Sequence, residues 1–145
     1  MIWRALSAKE AETIAAACTG FDPYLTLGYR PEILAAYLTR PDASLGRYAI
    51  ETDGRFRGVV ALRKPWLRGP LIEMLALLPE AQGKGLGGLV LDRCKAEAGR
   101  NLWATVSDFH APARRFYARA GFEEVAALPG IVAEERDEIL LRWRG

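Results

Sequence analysis

Residues Gln82–Arg93 read QGKGLGGLVLDR, and this stretch decides the fold. Gly83, Gly85, Gly87 and Gly88 crowd around Lys84. Glycine loses more backbone freedom on ordering than any other residue, so such a run belongs where the chain must turn or meet a ligand closely. Upstream, PLIEMLALL is an apolar run of strand length. Downstream, GLVLDRCKAEA has helical spacing, which predicts one face made of Leu86, Leu89, Val90 and Cys94. The glycines therefore stand between a buried strand and a helix start. The first helical N–H groups have no intrahelical acceptor, and the helix dipole adds positive potential, so this is an expected anion site.

The flanking chain supplies the rest of the architecture. MIWRAL reads as a short strand, and Ser7-Ala-Lys-Glu10 as a capping box opening a helix that runs to about Cys18, with Gly20 as a left-handed cap. FDPYLTLGYRP is loop-like and aromatic, and EILAAYL is a second short helix. GRYAIET and RFRGVVALR are β-branched runs on either side of Asp53-Gly54, a strong hairpin signal. NLWATVS is strand-like. HAPARRFYARAGF reads as a helix with Pro112 in its first turn and Gly121 just past its end. EVAAL and DEILLRW close the chain as strands. The expected order is β-α-α-β-β-β-α-β-α-β-β, a mixed α/β sheet covered by helices in a single domain over residues 1–145.

Three anion-binding loops compete for the glycines. A Walker A loop needs a Ser or Thr after Gly-Lys to reach magnesium, and Gly85 stands there. Gly83, Gly85 and Gly88 fit the dinucleotide spacing G-x-G-x-x-G, with Asp108 at 20 residues beyond Gly88 as the ribose acid. Against that reading, Pro79–Gln82 separates the strand from Gly83, an antiparallel hairpin precedes the motif, and only 57 residues follow Gly88.

The third candidate fits best. Gln82-Gly83-Lys84-Gly85-Leu86-Gly87 resembles the Gln/Arg-x-x-Gly-x-Gly/Ala pyrophosphate loop of the GNAT superfamily of N-acetyltransferases. His110-x-x-Ala113-x-x-Phe116-Tyr117-x-x-x-Gly121-Phe122 resembles that superfamily's Asn-x-x-Ala-x-x-Phe-Tyr-x-x-x-Gly-Phe signature. The two motifs cover residues 71–122. His110 departs from the usual asparagine, and its side chain either caps the helix or meets the cofactor arm.

The resemblance implies a central, mostly antiparallel sheet of about seven strands with helices on both faces. It implies transfer of an acetyl group from acetyl-CoA to an amine without a covalent enzyme intermediate and without a metal. The fourth and fifth strands are expected to part and admit the pantetheine arm along Leu75, Ala76 and Leu77. The Leu77 N–H would polarise the thioester carbonyl. The amides from Gly83 to Gly88, Leu86 included, would meet the pyrophosphate, with Lys84 or Arg114/Arg115 screening outer phosphates. Tyr117 is the expected acid for the leaving thiolate, its phenol well matched to a thiol with a pKa near ~10. Glu73, an acid within an apolar strand, is the expected base if burial raises its pKa; strand alternation leaves open that it faces solvent. Asp108 is a weaker candidate. Phe21, Asp22, Tyr24 and Tyr29 are expected to cradle a cationic amine, helped by Glu134, Glu135, Asp137 and Glu138.

Composition bounds these readings. The chain has 145 residues and a formal net charge of +2, too small to argue for nucleic acid. Residues 84–119 carry 7 basic and 3 acidic side chains, and residues 120–145 carry 3 and 6, so the glycine-rich region is locally basic and the tail acidic. Cys18 and Cys94 lie in helical patterns without metal-ligand spacing, which reads as buried thiols and a cytoplasmic setting. No apolar run reaches the ~18 residues of a membrane span. The acceptor is expected to be a small-molecule or protein amine, and a homodimer is possible. Two alternatives remain open: an acyl-CoA-binding sensor without turnover, and a nicotinamide-dependent oxidoreductase.

Overall fold

The computed structural model describes residues 1–145. One sheet is built from β1 (Ile2–Ala5), β2 (Leu45–Thr52), β3 (Arg55–Trp66), β4 (Gly69–Leu77), β5 (Asn101–Ser107), β6 (Glu123–Pro129) and β7 (Asp137–Arg144). Its spatial order is β1-β2-β3-β4-β5-β7-β6. Every neighbouring pair is antiparallel except β4 and β5. The helices are α1 (Ala8–Cys18), α2 (Tyr24–Leu27), α3 (Pro31–Thr39), α4 (Leu86–Ala98) and α5 (Ala111–Arg119). The expected order of elements is present, with α2 added inside the aromatic loop. A single parallel pair cannot make the repeated βαβ halves of a dinucleotide fold, which removes the oxidoreductase alternative.

Local chemistry explains the element ends. The Ser7 hydroxyl accepts from the Glu10 N–H at 3.1 Å, and the Glu10 carboxylate accepts from the Ser7 N–H at 3.1 Å, a complete capping box at the start of α1. Asp53 and Gly54 both have positive φ, 52° and 71°, as a two-residue hairpin with the right twist requires. Gly20 does not adopt the expected left-handed conformation, because α1 already ends at Thr19 in ordinary helical geometry. The left-handed cap in this region is Gly28, at φ 71°, which closes α2.

Helices cover both faces of the sheet. Against α1 and α3 lie Val59, Ala61, Met74 and Ala76, packed on Ile14, Cys18, Leu34 and Leu38. Against α4 and α5 lie Val60, Leu62 and Ile72, packed on Val90, Leu91 and Cys94. Leu89 does not join this core as its spacing predicts: it is 55% exposed, while Leu91 is fully buried in its place. The buried face of α4 is therefore Leu86, Val90, Leu91 and Cys94, turned relative to the expected stripe, as the helix packs on β4 and β5.

Two features of β4 shape the site. Ala61 pairs with Met74 while the next residue, Leu62, pairs with Ile72, so Glu73 is the extra residue of a β-bulge. The bulge slips the two-residue side-chain period, and Ile72 joins the α4/α5 core while Met74 and Ala76 join the α1/α3 core. Beyond the bulge β4 also leaves β5. Their pairing is confined to Leu71↔Trp103 and Ile72↔Ala104. No helix is long and apolar enough to cross a membrane.

Candidate active site

The parting of β4 and β5 opens a cleft floored by peptide groups. Leu78 N–H donates across β3 to the Arg57 carbonyl at 2.8 Å. Neighbouring peptides in a strand point to opposite sides, so the N–H and C=O of Leu77 face the gap toward β5. The Leu77 carbonyl accepts from Gln82 Nε2 at 3.0 Å, which ties the glycine loop to the strand end. Gln82 thus acts on the protein itself with its side chain. Leu75, Ala76 and Leu77 line a cleft cavity of about 420 Å³ that reaches Gly83 at one end and His110, Phe116 and Tyr117 on its far wall.

The glycine loop ends as an uncapped helix start. Gly85 is the N-cap of α4 at φ 81°, with no side-chain hydrogen bond to the helix. The first helical bond runs from Leu89 N to Gly85 O, so the amides of Leu86, Gly87 and Gly88 have no acceptor within the helix. Gly83 and Gly85 both have positive φ and open space where a Cβ would stand. Gly87 serves packing instead: a Cβ there would meet the Phe116 ring at 3.1 Å, so its absence lets α5 approach α4. The Leu86 side chain is buried in the core, leaving only its backbone for a ligand.

The basic residues divide differently from expectation. Lys84 lines a separate surface cavity together with Asp53, Arg57 and Glu80 and is not among the residues lining the cleft. Arg114 is held by both oxygens of Glu124, at 2.8 Å each, and by the Asp108 carbonyl at 2.9 Å, so it is not free to screen a phosphate. Arg115 remains exposed.

A second, smaller cavity of about 170 Å³ continues from the cleft, sharing Phe21, Asp22, Leu75, His110 and Tyr117 with it. Tyr117, at the junction, is buried in α5 and packs edge-on against Phe116 and Phe122. Burial, with Cys94 nearby, pushes its phenol above the ordinary value, so the hydroxyl stays protonated throughout the neutral range. The near-balance with a thiol expected for an unperturbed phenol is therefore displaced: Tyr117 is a weaker acid than a free phenol, kept neutral and ready to donate where negative charge develops beside it. His110 lies at the N-cap of α5 but makes no side-chain cap. Its Nδ1 is buried without a partner, and its ring faces both cavities. Burial lowers its pKa, against the pull of Asp22.

Glu73 faces the smaller cavity, but in a different state from the one expected. The bulge turns it onto the α1/α3 face, where Arg63 Nε and Nη2 and the Tyr37 hydroxyl all donate to its carboxylate. Burial alone would raise its pKa, yet these donors outweigh burial and hold it below the usual carboxylate range. The expected rise is overturned by a partner, Arg63, that lies on the neighbouring strand and is invisible to strand alternation.

The opposite wall carries a carboxylate with the reverse perturbation. Glu138, the second residue of β7, lies directly across from Ser107 of β5. It accepts from the Ser107 hydroxyl at 3.0 Å, is half-buried, and lines the smaller cavity. Burial raises its pKa, and the Ser107 bond only partly opposes that. Sequence reasoning grouped Glu138 with the acidic tail and passed over Ser107. Glu134, Glu135 and Asp137 do not reach the cavity wall. Asp108 instead braces the start of β7, its Oδ2 accepting from the Asp137 N–H at 3.2 Å, while its Oδ1 is buried without a partner.

The aromatic loop is split between packing and lining. Phe21, Tyr24 and Tyr29 form an edge-to-face series against the α1/α3 core. Phe21 and Tyr24 also face the smaller cavity, whereas Tyr29 lines a neighbouring surface groove. Asp22 faces the cavity while Thr26 donates to its carboxylate from both backbone and hydroxyl, which holds its pKa down.

A strand end, an uncapped helix start and a parted parallel pair, with a buried tyrosine facing the gap, form an elongated cleft suited to an extended, anionic ligand. The profile of the acetyltransferase (GNAT) family matches residues 9–122. The chain belongs to that family, and it is an acetyltransferase. Among solved structures, a GNAT-family protein from Desulfovibrio desulfuricans has the same fold, with a TM-score of 0.71 at 24% identity over 99% of this chain and 96% of its own. The ribosomal-protein-S18-alanine N-acetyltransferase of Escherichia coli gives 0.69 at 18% identity, over 99% and 92%. A GNAT-family acetyltransferase from Elizabethkingia anophelis with acetyl-CoA bound gives 0.67 at 18%, over 90% and 89%. No curated protein matches the chain.

Proposed function

We propose that this acetyltransferase passes the acetyl group of acetyl-CoA directly to a primary amine, with both substrates held in the continuous cleft. The residues present fit acetyl-CoA. The free amides of Leu86, Gly87 and Gly88 offer a diphosphate site, with open space over Gly83 and Gly85. The β4 edge from Leu75 to Leu77 offers peptide groups to an extended arm, and the orphaned Nδ1 of His110 faces the same cleft. A solved neighbour of the same fold carries acetyl-CoA.

Acetyl-CoA, when bound, supplies a thioester carbonyl open to attack and a sulfur leaving group. Glu138 takes the proton that the ammonium form of the acceptor must lose, directly or through one water, and burial, by raising its pKa, makes it a stronger base than an exposed carboxylate. The amine lone pair then forms the new C–N bond as the C–S bond breaks. The Leu77 N–H, facing the gap, stabilises negative charge on the carbonyl oxygen. Tyr117 gives its hydroxyl proton to the sulfur as negative charge builds there, and the phenolate recovers a proton, through water, from the positively charged nitrogen of the newly formed amide. Glu73, fixed by Arg63, keeps its charge and gives the acceptor cavity an anionic wall in place of the base role expected for it.

The observation that carries this reading is the position of Tyr117 at the junction of the two cavities, facing the parted edge of β4. Tyr117→Phe tests it. The variant is expected to lose about 10²-fold in turnover measured by CoA release, with acetyl-CoA affinity by calorimetry kept within about twofold. Unchanged turnover removes Tyr117 from the chemistry.

A further inference from the structure

The acceptor cavity does not end at its carboxylates. Leu27, from α2, and Val132, from the link between β6 and β7, form part of its wall. The same two side chains also line a second cavity of about 220 Å³ on the outer surface. That groove is completed by Gly28, Tyr29, Arg30, Ile33 and Ala133. Val132, which borders both cavities, is 44% exposed, and Ile33 of the outer groove is 49% exposed, so the surface between the inner cavity and the groove is apolar and open to solvent.

Charge changes sign along this path. The inner cavity is faced by Asp22, Glu73 and Glu138, with His110 as the one basic side chain among its lining. Behind that wall, Arg63 answers Glu73. The outer groove has no acidic lining residue, and Arg30 is its only charged one. An ammonium is drawn to the inner end and repelled at the outer end. The middle rewards apolar surface.

Resting on the acetyl-transfer reading above, we propose that the acceptor is a small monoamine with an apolar body and a neutral or anionic far end. Its amine sits beside Glu138, its body crosses Leu27 and Val132, and its far end reaches Arg30. A polyamine is disfavoured because its second ammonium would meet Arg30 in a groove with no carboxylate among its lining residues. A body carrying a carboxylate gains at the same position.

A matched series tests this with only the far end varied: hexylamine, 6-aminohexanoate and 1,6-diaminohexane, with shorter and longer homologues of each. CoA release gives kcat/KM, and calorimetry on the CoA-loaded protein gives acceptor affinity without turnover. The expected order is 6-aminohexanoate first, hexylamine next and the diamine last, with about a tenfold gap between the two charged ends in both readouts. Arg30→Glu is expected to reverse the order of the charged pair, the diamine then exceeding 6-aminohexanoate in both readouts. The proposal is overturned if the diamine equals or exceeds the amino acid, if Arg30→Glu leaves the order unchanged, or if no member of the series binds. Acetyl-CoA binding with turnover of other amines would sink this inference and leave the acetyl-transfer reading standing. Failure of the protein to bind acetyl-CoA at all would remove both.

Discussion

Replacing Arg63 by Met should convert Glu73 from an anchored anion into an unpaired buried acid. Met keeps most of the stem volume of Arg, so the change removes the guanidinium with little loss of packing. Its contacts to Asp42 at 3.2 Å and to the Ser44 hydroxyl at 2.9 Å go with it, and the added Glu73→Gln separates the share that belongs to Glu73. Wild-type Glu73 has three donors, two from Arg63 and one from Tyr37. The substitution leaves only Tyr37. Breaking a fully buried pair costs about 3–5 kcal/mol. Here the two side chains are about a quarter exposed, at 25% and 26%, so solvent screens part of the loss and about 2–3 kcal/mol is expected at pH 7. The pH dependence follows from the sign. In the wild type the folded pKa of Glu73 lies below its ordinary value, so its stabilisation is present above the unfolded pKa and is lost as pH falls through the folded one. In the variant, burial is no longer outweighed and the pKa should rise above the ordinary value. The cost should therefore shrink on acidification, to under about 1 kcal/mol at the lowest pH where both proteins stay folded. Urea unfolding followed by tryptophan fluorescence at several pH values measures it. Adding Glu73→Gln to Arg63→Met should recover at least half the loss, because the stranded charge is gone. A cost below about 1 kcal/mol at pH 7, or one that does not change with pH, would refute the account of Glu73.

Other expectations follow from the same structure. If Glu138 is the base, kcat/KM should fall as pH drops below its raised pKa, and Glu138→Gln should flatten that limb while lowering the plateau by about 10²-fold; an unaltered profile in the variant would exclude it. Burial pushes Cys18 and Cys94 up to about 12, so the native protein at pH 8 should react negligibly with a thiol reagent over minutes and reveal both thiols only on unfolding. Gly58→Ala would set a Cβ 2.2 Å from the Ala76 carbonyl oxygen and 2.8 Å from Leu77 Cα. Because those contacts are backbone, about 3 kcal/mol or more of stability should be lost in thermal or urea unfolding, and a neutral result would mean that β3 and β4 separate easily.

Local signals carried most of the architecture because they act over a few residues. Ser7 and Glu10 cap α1 wherever that helix packs, and Asp53-Gly54 accepts the left-handed angles of a tight hairpin in nearly any context. The glycines between β4 and α4 mark a helix start with free amides, and the spacing from His110 to Phe122 joined them into a family resemblance. What only the tertiary structure decided depends on partners distant in sequence. Nothing near Glu73 announces the bulge of β4, which turns the side chain toward Arg63 and inverts the expected shift of its pKa. Glu138 reads as one acid in an acidic tail until β7 pairs with β5 and sets it against Ser107 at the cavity wall. Leu89 carries the helical period but lies outside the core, since which side of α4 is buried depends on how the helix lies against β4 and β5. Capping, turns and periodicity are properties of short segments; the ionisation and direction of a side chain depend on what the folded chain brings against it.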